Sequence, residues 1–126
     1  MAIDIPITEA EAVVMEALWK QGAPMTAEAL VAALSGHDWQ EPTIKTLLNR
    51  LLNKGAVAAE RDGRRYLYSA VLRREQWLSR ESESLLDRLF DGRVAPLVAH
   101  FGKHRKLSRM DIADLRRLLE DLDDGK

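Results

Sequence analysis

One predicted helix carries the residue types that hydrogen-bond to base edges and to phosphates. The face opposite its leucines presents short polar and basic side chains, namely Thr43, Thr46, Arg50 and Asn53, flanked by Lys45 and Asn49. Such side chains reach bases in a major groove and the backbone beside it. No acid occurs from Pro42 to Gly55, and Lys54 adds a base at the end. Because acids would repel phosphate, the pattern favours binding of double-stranded DNA.

A basic turn follows this helix. Arg61, Arg64 and Arg65 bracket Asp62-Gly63, a dipeptide typical of a tight hairpin turn. The planar fork of arginine suits phosphate. By itself, the turn could equally be a solvated surface with locally paired charges. Beside an acid-free helix, it is interpreted as a phosphate-binding wing.

Other candidate chemistry is weaker. His100 and His104 have a spacing that can hold zinc on one helix face, which leaves a small metal-dependent hydrolase as an alternative. No third ligand, nucleophile–base pair or phosphate-cradling glycine loop is evident, so we predict no metal, no cofactor and no enzyme activity. The tryptophans are interpreted as core anchors: Trp19, Trp39 and Trp77.

The elements that position these residues follow from hydrophobic periodicity and capping signals. We predict helices over 7–21, from Thr26 to Ser35, and from Pro42 to Gly55, strands over 56–61 and 65–70, and helices over 72–90, 93–102 and 108–122. This order predicts a mainly α protein. Its winged helix-turn-helix, with three helices and a two- or three-stranded wing, occupies residues 1–72, and a three-helix dimerisation region occupies residues 73–126.

Composition bounds the class of protein. The 126 residues have a net charge of −1 and no cysteine, which excludes disulfides, thiolate metal sites and cysteine nucleophiles. No long apolar segment predicts membrane insertion, and we expect a cytoplasmic protein. The charge is unevenly distributed: residues 1–40 hold one base and six acids, residues 41–74 hold eight bases and three acids, and the remainder is nearly balanced. The basic middle segment coincides with the predicted DNA-binding face.

The last three predicted helices carry more apolar surface than their own packing explains. We expect a homodimer, because a single small winged helix buries little groove surface. The predicted dimerisation residues are Leu85, Leu89, Phe90, Leu97, Phe101, Leu115, Leu118, Leu119 and Leu122. A monomeric helical cap is the structural alternative. A winged-helix module that binds an acidic protein is the functional alternative.

The sequence resembles the penicillinase-repressor family, which comprises the BlaI and MecI repressors with the CopY copper repressors as relatives. The motifs that carry the resemblance run from one end to the other: Ile7-Thr8-Glu9-Ala10-Glu11, Val14-Met15, Leu18-Trp19, Trp39, Thr43-Ile44-Lys45-Thr46-Leu47, Arg50-Leu51, Lys54-Gly55, Phe90, Gly92, Leu97-Val98, Phe101, Leu107-Ser108 and Leu115. The resemblance implies a homodimeric repressor on a palindromic operator of a resistance or stress operon. The matching DNA contacts are Thr43, Lys45, Thr46 and Arg50, with the wing arginines on the backbone.

The resemblance also implies how repression ends. In the antibiotic-resistance branch, a membrane sensor-protease system triggers cleavage of an Asn-Phe bond in the dimerisation region, and the aligned bond here is His100-Phe101. The chain departs from the family by this histidine and by Gln40-Glu41-Pro42, where the family often has Ser-Pro-Lys. Without cysteine it also lacks the metal-sensing Cys pairs of the copper branch.

Overall fold

Six helices and one hairpin follow each other in the predicted order. The computed structural model describes residues 5–125. The elements are α1 (Glu9–Gln21), α2 (Ala27–Ala33), a 3-10 turn (Ser35–His37), α3 (Glu41–Lys54), β1 (Val57–Asp62), β2 (Arg65–Ala70), α4 (Arg74–Leu89), α5 (Val94–Lys103) and α6 (Arg109–Asp123). The protein is therefore mainly α, with an N-terminal winged helix-turn-helix followed by three helices.

Capping residues fix the ends of the first helices. Thr8 and Glu11 form a capping box, in which the Glu11 N–H donates to Thr8 Oγ1 at 3.1 Å and the Thr8 N–H donates to Glu11 Oε1 at 2.8 Å. Gly55 ends α3 in the left-handed region, with φ 79°. The start of α3 lies one residue earlier than predicted. Glu41 therefore joins its first turn, and Pro42 takes a position that still lacks an intrahelical N–H partner.

The wing is a two-stranded antiparallel hairpin, in which Val57 pairs with Ala70 and Asp62 pairs with Arg65. Its two central turn residues are Gly63 and Arg64, so the prediction of a turn centred on Asp62-Gly63 is wrong by one residue. Gly63 alone among the central residues has positive φ, at 66°. Glycine at the first central position is the requirement of a type II′ turn, whereas a type I′ turn would need positive φ at both positions.

A single residue of the chain before α2 extends this sheet. The Met25 N–H donates to the carbonyl of Tyr68 at 2.9 Å, and the Tyr68 N–H donates to the carbonyl of Met25 at 2.8 Å. This bridge connects the hairpin to the start of the helix-turn-helix. The wing and the helices therefore share one framework.

One apolar core holds the N-terminal part together. Its buried residues come from the first three helices, the hairpin and the segment after it: Val14, Met15, Leu18, Met25, Ala27, Leu30, Leu34, Ile44, Leu47, Leu48, Leu51, Ala56, Val57, Tyr68 and Leu72. All three tryptophans pack against this core, which confirms their predicted role as anchors. The Trp19 indole N–H donates to the carbonyl of Leu72 at 2.8 Å, and the Trp19 and Trp77 rings lie 5.5 Å apart.

The chain divides into two compact units within α4, between Glu81 and Ser82. Trp77, at the start of α4, packs against the core of the winged helix. This division lies further along the chain than the predicted domain boundary between residues 72 and 73. None of the residues described from 82 to 125 is buried, and no helix described here is both long and apolar enough to cross a membrane.

Candidate nucleic-acid interface

The buried leucines of α3 decide which side chains it presents outward. Ile44, Leu47, Leu48 and Leu51 are buried at helical spacing. The residues predicted to bind DNA on the opposite side of this helix are all exposed: Thr43, Lys45, Thr46, Asn49, Arg50 and Lys54. Because the buried face is anchored at four positions, α3 cannot rotate without exposing leucine. Its polar stripe therefore has a fixed direction.

The polar groups of α3 differ in what they already contact. Lys45 Nζ lies 3.1 Å from Glu41 Oε2, one turn earlier, and the Thr46 hydroxyl donates to the carbonyl of Pro42 at 3.0 Å. Within residues 5–125, Arg50 makes no side-chain hydrogen bond or ion pair. An exposed ion pair such as that of Lys45 contributes about 0–1 kcal/mol and can exchange for a phosphate. Arg50 is free to bind without giving up any contact.

The wing arginines are arranged around the turn. Arg61 Nε donates to the carbonyl of Gly63 at 3.0 Å, and its guanidinium lies 5.9 Å from the ring centre of Tyr66. Arg65 lies 3.5 Å from Asp62, its partner across the strands. Arg64, at the second turn position, has no ion pair in the part of the chain that the structure describes. At the tip of the wing, the guanidinium of Arg64 is therefore free of ion pairs among the described residues, whereas those of Arg61 and Arg65 make only weak, exposed contacts.

A cleft of about 250 Å³ joins the wing to the helix-turn-helix. Its lining comes from the start of α2, the first turns of α3 and the hairpin: Thr26, Ala27, Glu28, Glu41, Lys45, Arg64, Arg65, Tyr66 and Tyr68. The structure therefore brings Lys45, Arg64 and Arg65 together. The prediction omitted Tyr66, although strand alternation places it on the face of the buried Tyr68 and one step nearer the tip. Its exposed ring and hydroxyl are suited to a sugar or phosphate.

Lys54 has a partner that the sequence did not indicate. Its Nζ lies 2.5 Å from Oε1 of Glu11 on α1, and the Glu11 side chain is only 1% exposed, whereas that of Lys54 is 33% exposed. Glu11 is the one buried charged residue among those described. The pair joins the end of α3 to the start of α1. Lys54 thus has a structural role beside its predicted contact with DNA.

This ion pair determines the ionisation of Glu11. Burial by itself raises the pKa of the carboxyl group, but the Lys54 ammonium and the Thr8 N–H stabilise the carboxylate more strongly. The pKa of Glu11 therefore lies below its ordinary value of 4.5. A carboxyl group whose pKa is lower in the folded state stabilises the fold at neutral pH. That stabilisation is lost as the pH falls from 4.5 through the lower folded-state value.

We expect the free energy of unfolding of the wild-type protein to decrease on acidification through this range more steeply than that of Glu11→Gln. The amide of glutamine does not titrate, so the contribution of Glu11 disappears from the pH dependence. Urea unfolding followed by circular dichroism between neutral pH and pH 3 measures the difference. Glu60→Gln, at an exposed position of β1, serves as the control and should keep the wild-type slope. Equal slopes for wild-type and Glu11→Gln would contradict the effect.

His100 and His104 lie in the second compact unit, which begins at Ser82, whereas the exposed polar residues of α3 belong to the first. The His100 and His104 rings are 4.4 Å apart, and the ring of His100 also lies 5.9 Å from that of Phe101. Among the described residues, no group of three His, Cys, Asp or Glu side chains is arranged to hold a metal ion. The bond between His100 and Phe101 lies inside α5, and both of its residues are exposed.

The chain is similar to known DNA-binding repressors over nearly its whole length. The penicillinase repressor family model matches residues 7–121. The chain is 30% identical over 115 residues to the penicillinase repressor of Bacillus licheniformis, covering 91% of this chain and 90% of that protein. It is 26% identical over 113 residues to the methicillin resistance regulatory protein MecI of Staphylococcus aureus, covering 90% and 92% of the two chains. The solution structure of the DNA-binding domain of the repressor BlaI matches 60% of this chain and 93% of its own length, with a TM-score of 0.52 and 30% identity.

Proposed function

This chain belongs to the penicillinase repressor family, and on that premise we propose that it represses transcription as a homodimer on a palindromic operator. As a member of that family it is a DNA-binding repressor and not an enzyme. In the proposed complex, α3 of each copy enters a major groove, and the wing binds the adjacent backbone. The regulated genes are proposed to form a resistance or stress operon. Because its proposed target is DNA, we propose that the protein acts in the cytoplasm.

The observation that carries this proposal is the exposed stripe of α3. From Thr43 to Lys54 the helix has no acid, its leucines fix its direction, and Arg50 is uncommitted. Lys45 and the wing arginines Arg64 and Arg65 share a cleft beside it. A helix in a major groove needs short donors towards the bases and cations towards the phosphates. The stripe and the wing supply both from neighbouring elements.

The proposed dimer is supported by the apolar surface of the second unit. Of the residues predicted to form the interface, some are half-buried (Leu85, Phe90, Leu97 and Leu115) and the others are exposed (Leu89, Phe101, Leu118, Leu119 and Leu122). Five large apolar side chains left exposed on so small a unit are typical of an interaction surface. A second copy is the partner that two inverted half-sites require.

Arg50→Ala is expected to weaken binding to the operator duplex by about 1–3 kcal/mol for each half-site, because it removes a base or phosphate contact from both recognition helices. Fluorescence anisotropy with the DNA upstream of the protein's own gene measures the effect. Arg117→Ala is the matched control, since Arg117 lies on α6 and is paired with Asp114. Equal affinity of Arg50→Ala and wild-type would remove Arg50 from the contacts.

We further propose that a sensor-protease system ends repression by cutting between His100 and Phe101. Cleavage there would separate α6 from the rest of the chain and so remove its apolar surface from the dimer. Because the bond lies within α5, the last turns of this helix must open before a protease can bind an extended strand. Mass spectrometry of the protein from induced cells should detect the fragment that begins at Phe101. Induction with an intact chain would contradict proteolytic control.

A further inference from the structure

The first turn of α3 carries an acid on a surface that is otherwise polar and basic. Glu41 is the first residue of this helix, and no other acid follows it before the helix ends at Lys54. Its Oε2 lies 3.1 Å from Nζ of Lys45, one turn further along, and the two side chains are 43% and 56% exposed. The ion pair is therefore already formed in the protein without DNA, and it remains open to solvent.

This pair lies beside the wing. Glu41 and Lys45 both line the cleft of about 250 Å³ that also contains Arg64 and Arg65. A carboxylate among these cations weakens the attraction for phosphate, and it does so for every duplex whatever its sequence. In the major groove, the only donors are the amino groups of cytosine and adenine. Glu41 is therefore unsuited to the DNA backbone, and its complementary partner on a duplex is one of these amino groups.

The major-groove edge of a C·G pair has the complementary pattern for an acid beside a base. Cytosine presents the N4 amino donor, and guanine presents the O6 and N7 acceptors. N4 and O6 are hydrogen-bonded to each other across the pair, so they lie about 2.9 Å apart. This spacing is close to the 3.1 Å between Glu41 Oε2 and Lys45 Nζ. The two side chains therefore match the donor and acceptor of this base pair without giving up their own contact.

The other base pairs match these two groups less well. In the same orientation, T·A and G·C pairs place an acceptor, O4 or O6, opposite the carboxylate. An A·T pair offers the adenine N6 donor, but the adenine N7 acceptor lies beside it and repels a carboxylate. The thymine methyl group also lies next to the single acceptor that remains for Lys45. C·G is therefore the pair that the Glu41 and Lys45 side chains favour.

We propose that Glu41 and Lys45 together recognise one C·G pair in each half-site, with Glu41 accepting from N4 of cytosine and Lys45 donating to O6 of guanine. Residues at the N-terminus of a recognition helix are those that contact base edges, and Glu41 begins α3. The proposal rests on the DNA binding of the proposed function and adds Glu41 as a residue that determines which sequence is bound. The predicted DNA contacts left Glu41 out, because the helix was predicted to begin at Pro42.

Selection from a random-sequence duplex library by the full-length wild-type protein and by Glu41→Gln tests this assignment. The wild-type protein should enrich a half-site in which one position is fixed as C·G. Glutamine pairs with N6 and N7 of adenine, so Glu41→Gln should keep the other positions and change this one to A·T. Glu28→Gln is the matched control, because Glu28 is an exposed acid of the same cleft but lies on α2. It should enrich the wild-type sequence.

Fluorescence anisotropy with two duplexes measures the size of the effect. One duplex is the sequence that the wild-type protein selects, and the other has its C·G pair replaced by T·A in one half-site. This replacement exchanges donor and acceptor opposite both side chains. The wild-type protein and Glu28→Gln should bind the second duplex roughly tenfold more weakly than the first, whereas the two affinities of Glu41→Gln should differ by less than about twofold.

The possible failures have different meanings. A Glu41→Gln chain that selects C·G at the same position, or that binds every duplex more tightly by one common factor, would overturn the proposal, because Glu41 would then only repel phosphate. A wild-type half-site without a fixed C·G pair, or a folded Glu41→Gln chain that selects no sequence, would overturn it as well. A wild-type protein that enriches no sequence would instead overturn the proposed function itself.

Discussion

Replacing Leu119 and Leu122 by Asp is expected to give a folded monomer that binds the operator duplex on the order of a hundredfold more weakly than the wild-type protein. Two linked winged-helix domains bind an inverted repeat far more tightly than two independent ones, because the second domain binds at a high effective concentration once the first is bound. Leu119 and Leu122 are among the residues proposed to form the dimer interface, and charges at these positions would lose solvent in the dimer without finding a partner. Neither side chain is buried within the chain, so the winged helix should stay intact.

Sedimentation velocity and DNA-binding titration together measure this effect. Arg117→Asp is the matched control, because it introduces an acid on the opposite face of the same helix. It should remain dimeric and bind the operator like the wild-type protein. A Leu119→Asp/Leu122→Asp chain that is still a dimer would contradict the proposal that these two leucines form part of the interface. A monomer with undiminished affinity would contradict the need for two copies on the operator.

Lys54→Met is expected to lower the free energy of unfolding by about 3 kcal/mol, because it leaves the buried Glu11 carboxylate without its cation. This is the low end of the range for broken buried pairs, chosen because Lys54 is itself one-third exposed. Methionine keeps the length and apolar character of the stem. Urea unfolding at pH 7 measures the loss. Glu11→Gln combined with Lys54→Met should recover most of it, since no buried charge then remains.

Lys54→Met also distinguishes the ion pair of Lys54 with Glu11 from its predicted contact with DNA. If its role is to hold α3 on α1, the folded fraction of Lys54→Met should bind DNA about as tightly as the wild-type protein. A loss of affinity together with unchanged stability would make Lys54 a DNA contact and contradict the structural role. Arg50→Ala provides the comparison, because it should lower affinity and leave the unfolding free energy within about 0.5 kcal/mol of the wild-type value.

Periodicity and capping were sufficient to predict the winged helix. The leucines of α3 determine its outward face, and Thr8 with Glu11 marks the start of α1. These features depend on residues three or four apart, where chain geometry dictates which side chains meet. The wing was predicted with its turn one residue out of place. A dipeptide signal cannot distinguish which of two neighbouring residues takes positive φ.

Contacts between distant parts of the chain could not be predicted. Glu11 and Lys54 are separated by 43 residues in the sequence. Local patterns already explained Glu11 as part of a capping box and Lys54 as a base at the end of a helix, so neither pattern pointed to the other residue. Trp77 likewise joins the start of α4 to the first core, although periodicity placed it with the C-terminal helices. The cleft beside Tyr66 arises from three elements that meet only in the folded protein.

Selection of bound duplexes from a random-sequence library by the full-length protein tests most directly whether it is a homodimeric, sequence-specific repressor. A dimer that reads DNA with two α3 helices should enrich one sequence arranged as two inverted half-sites, with centres a whole number of helical turns apart. Binding to the enriched duplex should decrease steeply with salt, and Arg50→Ala should fail to enrich it. Recovery of no common sequence, or of a single half-site without its inverted copy, would contradict a homodimeric, sequence-specific repressor.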